Sequence, residues 1–319
     1  VLTLYLASLV GLGAVVGGVI LALDPYDSGR FSLFAAKGVP EFGPRLTAAS
    51  RARQSGIDAA IIGNSTIQLI DPARLSALSG RRVVSLTIPG TGPQEQLVVA
   101  RYFLGHHRAG EMRGLVLGID STWCSANGRL ELTNPFPFWL YGESDLDYLG
   151  HMMRLATARA TIQKGKLMLG YAPAARADGY DDYEAGRAWD PEAAHQRLSQ
   201  AGVDAMVPDQ DAAPDDIAAA PLLAQFLTRL SSNVPVVLVI PPRYRNPEAM
   251  PAAHAAARQR ACTEAYRKLA QARAHTTLLD FITQRDIAGS DEFWDPIHYR
   301  AAVARRMEAA IAAALRKGE

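Results

Sequence analysis

The residue types that activate a hydroxyl occur in two short segments, Gly63-Asn64-Ser65 and Asp295-Pro296-Ile297-His298. A serine hydroxyl is a weak nucleophile until a base takes its proton, and that base needs a third group to fix its tautomer and orientation. Asp295 and His298 are three residues apart. On a turn or a first helical turn the carboxylate can meet one ring nitrogen while the other faces Ser65. A helix N-terminus at this point would disfavour the imidazolium and keep His298 neutral, as a base must be. The chemistry expected of such a set is acyl transfer through Ser65. Each segment also has a plainer reading. Ser65-x-x-Gln68 is a capping-box pattern with Ser65 as N-cap, and Asp295-Pro296 is an N-cap followed by proline at the first helical position. A serine can serve both roles.

Other polar positions cluster at the ends of apolar runs. Gly90 and Gly92 lie in the turn-forming segment after Ile88, where backbone N–H groups can face a ligand. Asp120 closes Gly118-Ile119-Asp120, and Arg243, Tyr244 and Arg245 follow Pro241-Pro242 as candidates for holding an anionic or sugar substrate. His106 and His107 are adjacent and so do not share a helix face, which excludes an i, i+4 metal pair. No metal or cofactor site is expected. Gly11-x-Gly13-x-x-x-Gly17 superficially matches a nucleotide loop but lies inside an apolar span and follows no strand.

The elements that must position these residues follow a repeated rhythm. Residues 58–64, 82–88, 114–120, 234–241 and 276–281 are short apolar runs rich in β-branched side chains, as buried strands are. Helical patterns lie between them at 94–107, 146–169, 218–231 and 252–274, and a last helix is expected from near Pro296 to about Leu315. This alternation predicts a doubly wound, mainly parallel α/β sheet of about five strands, in which ligands sit at the carboxyl ends of the strands. Every candidate above falls at such an end. About 110 residues separate Asp120 from Val234, too many for one crossover helix, so an insertion is expected at about 121–233. Its aromatic and acidic segments, 134–142 and 178–190, read either as a lid or sugar-facing wall or as local packing.

Residues 1–23 carry no charged side chain and would span about 34 Å as a helix, enough to cross a bilayer. No clean cleavage site follows, so an uncleaved anchor is expected rather than a signal peptide or a buried soluble helix. Gly13 and Gly17 offer a small-residue face to an integral membrane partner. A linker or covering arm is expected at 24–54 and the α/β domain at 55–319. With 33 basic and 32 acidic residues the net charge is +1, which argues against a nucleic-acid partner. Cys124 and Cys262 permit one disulfide or two free thiols.

Taken together, Gly63-Asn64-Ser65, Gly90, Gly118-Ile119-Asp120 and Asp295-Pro296-Ile297-His298 resemble the successive blocks of the SGNH/GDSL hydrolase superfamily. The likeness covers roughly residues 55–310 apart from the insertion. It implies a flavodoxin-like sheet, Ser65 as nucleophile, His298 as base and Asp295 as its orienting acid, with backbone N–H groups of Ser65 and Gly90 holding the oxyanion. Asn64 stands where the family has an acid, and Asp120 stands where it has the oxyanion-hole asparagine. An ionised carboxylate there would repel an oxyanion, so Asp120 must be protonated, turned away, or part of a divergent site. The anchored architecture is similar to that of partner proteins of membrane-bound O-acyltransferases. The implied function is an ester hydrolase or O-acyltransferase acting on an acyl ester of a cell-surface glycan outside the cytoplasm. The alternative is an inactive assembly subunit of a membrane complex.

Overall fold

A computed structural model of the chain describes residues 1–31, 33, 38–127, 135–200, 212–244, 253–284 and 289–317. Its centre is a five-stranded parallel sheet: β1 Ala59–Ile62, β2 Val83–Ser85, β3 Gly114–Gly118, β4 Val236–Ile240 and β5 Thr276–Asp280, in the order β2-β1-β3-β4-β5. This is the flavodoxin-like order, which reverses direction beside β1 and opens a crevice at the strand ends there. All four strand pairings are parallel, so the ends preceding Asn64, Asp120 and Pro241 lie along one rim.

Strands buried on both faces must be apolar throughout, and the two faces of this sheet feed two separate cores. Ala60, Ile62, Leu115, Leu117 and Leu238 point to one side. There they meet α2 (Pro44–Ala52), α4 (Pro93–Gly105), α9 (Ala219–Arg229) and α10 (Ala253–Gln271). Ala59, Ile61, Val116, Val237 and Val239 point to the other, against α3 (Pro72–Ser79) and α11 (Ala301–Lys317). Each wholly buried Ile or Leu contributes about 1.5–3 kcal/mol of transfer free energy. β5 is half-buried along its length, as an edge strand is. The other edge is covered, because the Ser85 N–H donates to the Asp178 carbonyl at 2.8 Å. A shallow cavity of about 310 Å³ lies along β5 beside Arg267 and Gln271, and it shares no residue with the rim that holds Ser65.

The N-terminal helix α1 (Leu2–Leu23) is apolar, long enough to cross a membrane, and barely buried. Its exit is fixed by Asp24, which accepts from the Ser28 N–H and hydroxyl and from the Tyr148 hydroxyl at 2.9–3.2 Å. Tyr148 belongs to α6 (Asp145–Met152), which follows the short α5 (Phe138–Tyr141). Gly17 faces Met153 of the same chain: a Cβ there would sit 3.7 Å from the sulfur.

Three sequence expectations are corrected. The pattern over 146–169 is two helices, α6 and α7 (Leu155–Met168), because the chain turns at Met153-Arg154 with extended backbone at Arg154. The covering arm contains α2. The last helix starts at Ala301 rather than near Pro296. Asp295 therefore does not cap it. Instead the Glu184 carboxylate, from the insertion, accepts from the Ala301 N–H at 2.8 Å and caps the helix from a distance in sequence. The insertion also contributes α8 (Pro191–Gln200).

Candidate functional site

β1 ends at Gly63 and the chain enters a single 3-10 turn, Ser65–Ile67. Ile67, fully buried, folds back over the ends of β1 and β3, and only glycine leaves it room. A Cβ at Gly63 would lie 2.6 Å from Ile67 Cδ1, and one at Gly118 would lie 2.8 Å from it. These two glycines set the height of Ser65 above the sheet. The cap of the turn is Asn64 and not Ser65: the Asn64 side-chain oxygen accepts from the Thr66 N–H at 3.1 Å and the Thr66 hydroxyl at 2.8 Å. The capping-box expectation for Ser65 is overturned because Asn64 already satisfies the free donor, which leaves the Ser65 hydroxyl for another partner.

That partner is His298. Its Nε2 lies 2.8 Å from Ser65 Oγ, across 233 residues of sequence. Its Nδ1 lies 2.7 Å from Asp295 Oδ2. Asp295 Oδ1 accepts from the backbone N–H groups of Ile297 at 3.0 Å and His298 at 2.9 Å. One carboxylate thus shapes the turn with one oxygen and holds the imidazole with the other. Burial pushes the Asp295 carboxyl up, but the hydrogen bonds from the His298 ring and from these backbone N–H groups outweigh it, and the group sits below the usual carboxylate range. The turn is closed by the Trp294 N–H donating to the His298 carbonyl at 2.8 Å and by an antiparallel bridge between Phe293 and Tyr299.

The insertion braces this loop. Tyr183 stands edge-on to the His298 ring at 5.5 Å and donates its hydroxyl to the Tyr299 carbonyl at 2.5 Å. Glu184 accepts from Trp294 Nε1 at 2.7 Å, and Trp189 packs edge-on against Trp294. The 178–190 segment thus packs against the loop that carries His298. Sequence reasoning did not single out Tyr183 or Glu184, because their partners are more than a hundred residues away.

Asn64 ties three strand ends together. Its amide nitrogen donates to the Thr91 carbonyl at 3.2 Å, in the loop after β2, and to Asp120 Oδ2, after β3. The other Asp120 oxygen accepts from the Thr122 hydroxyl at 2.6 Å and the Thr122 N–H at 3.1 Å. Both carboxylate oxygens are thus turned onto protein donors. Burial raises the Asp120 carboxyl above its ordinary range, while the bonds from Thr122 and Asn64 and the charge of Arg243 pull it down in part. In this arrangement Asp120 engages Thr122 with one oxygen and anchors Asn64 with the other.

Gly90 occupies an exposed turn at φ +67°, a conformation that glycine adopts without strain. Arg45 braces the turn by donating to the Pro89 carbonyl at 2.9 Å. Among the described residues no hydrogen bond takes up the N–H of Ser65 or of Gly90, so both remain open to a ligand. Arg243 is half-buried at the end of β4. Burial lowers its pKa while the charge of Asp120 raises it. The Tyr244 N–H donates to the Pro296 carbonyl at 3.0 Å, tying the end of β4 to the loop that carries His298. Arg245 and Asn134 lie outside the described residues. Among the described residues no group of carboxylates, histidines or cysteines is arranged to hold a metal ion. His106 and His107 instead meet the backbone carbonyls of Tyr102 and Ala52.

Cys124, four residues beyond Asp120, is bonded to Cys262 on α10. This settles the choice between a disulfide and free thiols, and it ties the loop after β3 to a helix across 138 residues of chain. No protein-family model matches the chain, and no curated protein is significantly similar to it.

Proposed function

We propose that the chain is a membrane-anchored serine acyl-transfer enzyme of the SGNH-like kind, an ester hydrolase or O-acyltransferase. The observation that carries this reading is the continuous relay from Ser65 Oγ through His298 to Asp295, with both contacts at hydrogen-bond distance. In the reaction, Ser65 Oγ bonds to the acyl carbonyl carbon while its proton passes to His298 Nε2. That proton then leaves with the departing alkoxide as the ester bond breaks, giving an acyl-serine and an alcohol. Water or an acceptor hydroxyl attacks the acyl-serine next, gives its proton to His298, and returns the serine to its starting form. Asp295 stabilises the imidazolium at each stage. The N–H groups of Ser65 and Gly90 hold the oxyanion, without a contribution from Asp120.

A 22-residue apolar helix with little buried surface supports membrane anchoring. The Cys124–Cys262 disulfide supports an oxidising compartment such as the periplasm, where an acyl ester of a cell-surface glycan is a fitting substrate. Arg243 and Tyr244 at the rim are the residues to orient it. Ser65→Ala tests the reading: it should abolish both ester hydrolysis and labelling by a fluorophosphonate, and full retention of either would remove Ser65 from the mechanism.

The bonding of both Asp120 oxygens to protein donors favours a second reading, an inactive assembly subunit that binds an integral membrane protein through the exposed side of α1; the Gly17 side is already taken by Met153. Co-purification with such a partner together with an unreactive Ser65 would establish it. Co-purification with a reactive serine would instead support a two-component acyltransferase.

A further inference from the structure

A surface helix on a water-soluble domain buries an apolar stripe and shows its polar side to solvent. Helix α7 departs from this, with a largely polar buried side and large aliphatic side chains exposed. Its buried residues are Thr157, Ala160, Thr161 and Lys164. The polar ones are satisfied inside: Thr157 donates to the His151 carbonyl, Thr161 to the Thr157 carbonyl, and Lys164 Nζ to the Gly38 carbonyl at 2.5 Å. On the opposite side Leu155, Ile162 and Leu169 are 71%, 61% and 72% exposed. Steps of seven residues return to within about 20° on an α-helix, so these three form one line along α7 and its C-terminal end. Met153 and Tyr171, just outside the two ends of α7, are likewise exposed. Arg159 and Lys166 are exposed on the same side, so large aliphatic and basic side chains share one face, the composition of a helix that lies on a membrane surface.

Three observations say what covers it. α7 and α6 pack directly on α1, with Met153 against Gly17 and Tyr148 bonded to Asp24 and Ser28 at the helix exit. Gly17 lies about 9 Å before the end of α1 at 1.5 Å per residue, within the depth at which interfacial helices lie. Finally, residues 154–171 contain Arg154, Arg159, Lys164 and Lys166 and no acidic residue, and Arg154, Arg159 and Lys166 are exposed. We infer that α7 is a second, in-plane membrane contact that seats its Leu155–Ile162–Leu169 line in the acyl boundary of an anionic bilayer, beside the spanning α1. The inference rests on the reading of α1 as membrane-embedded. Two contacts would hold the α/β domain at a fixed attitude above the lipid, where a single flexible anchor would let it swing.

The test uses the full chain carrying one cysteine at a time, Val10→Cys, Ile162→Cys or Lys268→Cys, labelled with bimane while Cys124 and Cys262 remain disulfide-bonded. Each is reconstituted in vesicles of phosphatidylcholine with phosphatidylglycerol, and quenching by lipid-attached nitroxide is compared with quenching by aqueous iodide. Nitroxide quenching at positions 10 and 162 should exceed that at 268 by about threefold or more, and the effect at 162 alone should fall when phosphatidylglycerol is omitted. Quenching at 10 with position 162 behaving like 268 would overturn the inference while leaving the anchor intact, and would assign the stripe to a protein partner. Absence of lipid quenching at both 10 and 162 would overturn the anchor reading and the inference with it.

Discussion

Replacing Asp295 by asparagine separates the two tasks that its carboxylate performs. Oδ1 is held by two backbone N–H groups, those of Ile297 and His298, whereas Oδ2 is held by the His298 ring alone. An asparagine therefore keeps its carbonyl oxygen on the backbone pair and turns its NH2 toward Nδ1. The opposite orientation would give up two backbone bonds, each worth about 1 kcal/mol, for one ring bond. Facing a donor, Nδ1 becomes an acceptor, and the neutral imidazole carries its proton on Nε2, the nitrogen 2.8 Å from Ser65 Oγ. The base is then occupied by the proton it should be receiving. Loss of the correct tautomer in a serine triad costs about 10⁴ in rate, or about 5.4 kcal/mol of barrier. Hydrolysis of a p-nitrophenyl acyl ester measures this directly, with thermal unfolding as the check on folding. Because Asp295 sits below the usual carboxylate range, its contribution is complete above its unfolded value near pH 4 and is lost only as pH falls through the lower folded value. The stability that the Asp295 carboxylate contributes should therefore be constant from about pH 5 upward and fall only in more acidic solution. A folded Asp295→Asn protein within about tenfold of the parent would refute the relay.

Asn64→Ala removes bonds to Thr66, Thr91 and Asp120 and leaves one oxygen of the buried Asp120 carboxyl without its donor. It should cost about 3 kcal/mol in denaturant unfolding. Gly118→Ala drives a methyl group into Ile67. It should cost about 1–3 kcal/mol and lower activity by shifting the serine turn, and Ile67→Val should restore both in the double variant. Replacing Cys124 and Cys262 by alanine opens a 138-residue loop. The chain-entropy limit for that loop is about 5 kcal/mol, and a loss of about 2–5 kcal/mol in stability is expected.

The strands were legible because buried parallel strands are short apolar runs, and their ends pointed to Ser65, Asp120, Arg243 and the Asp295–His298 pair without any knowledge of contacts. What escaped were features fixed by distant partners. The start of α11 at Ala301 depends on Glu184 reaching its first N–H, and no local pattern near Pro296 encodes that. Asn64 drew notice only as standing where the family has an acid, yet its four hydrogen bonds join three loops. The pairing of Cys124 with Cys262 required the two Cα atoms to come within 5.4 Å. The inverted face of α7 was hidden for another reason: sequence periodicity gives the angle of an apolar stripe but not the side on which the protein lies.

Ser65 and His298 are contributed by opposite ends of the α/β domain, 233 residues apart. During synthesis the serine emerges long before the histidine that would activate it. A chain made only as far as the insertion thus holds Ser65 without its His298 partner. On the reading proposed above, the hydroxyl stays unactivated until the loop that carries His298 has been made and has folded back over the first strand end.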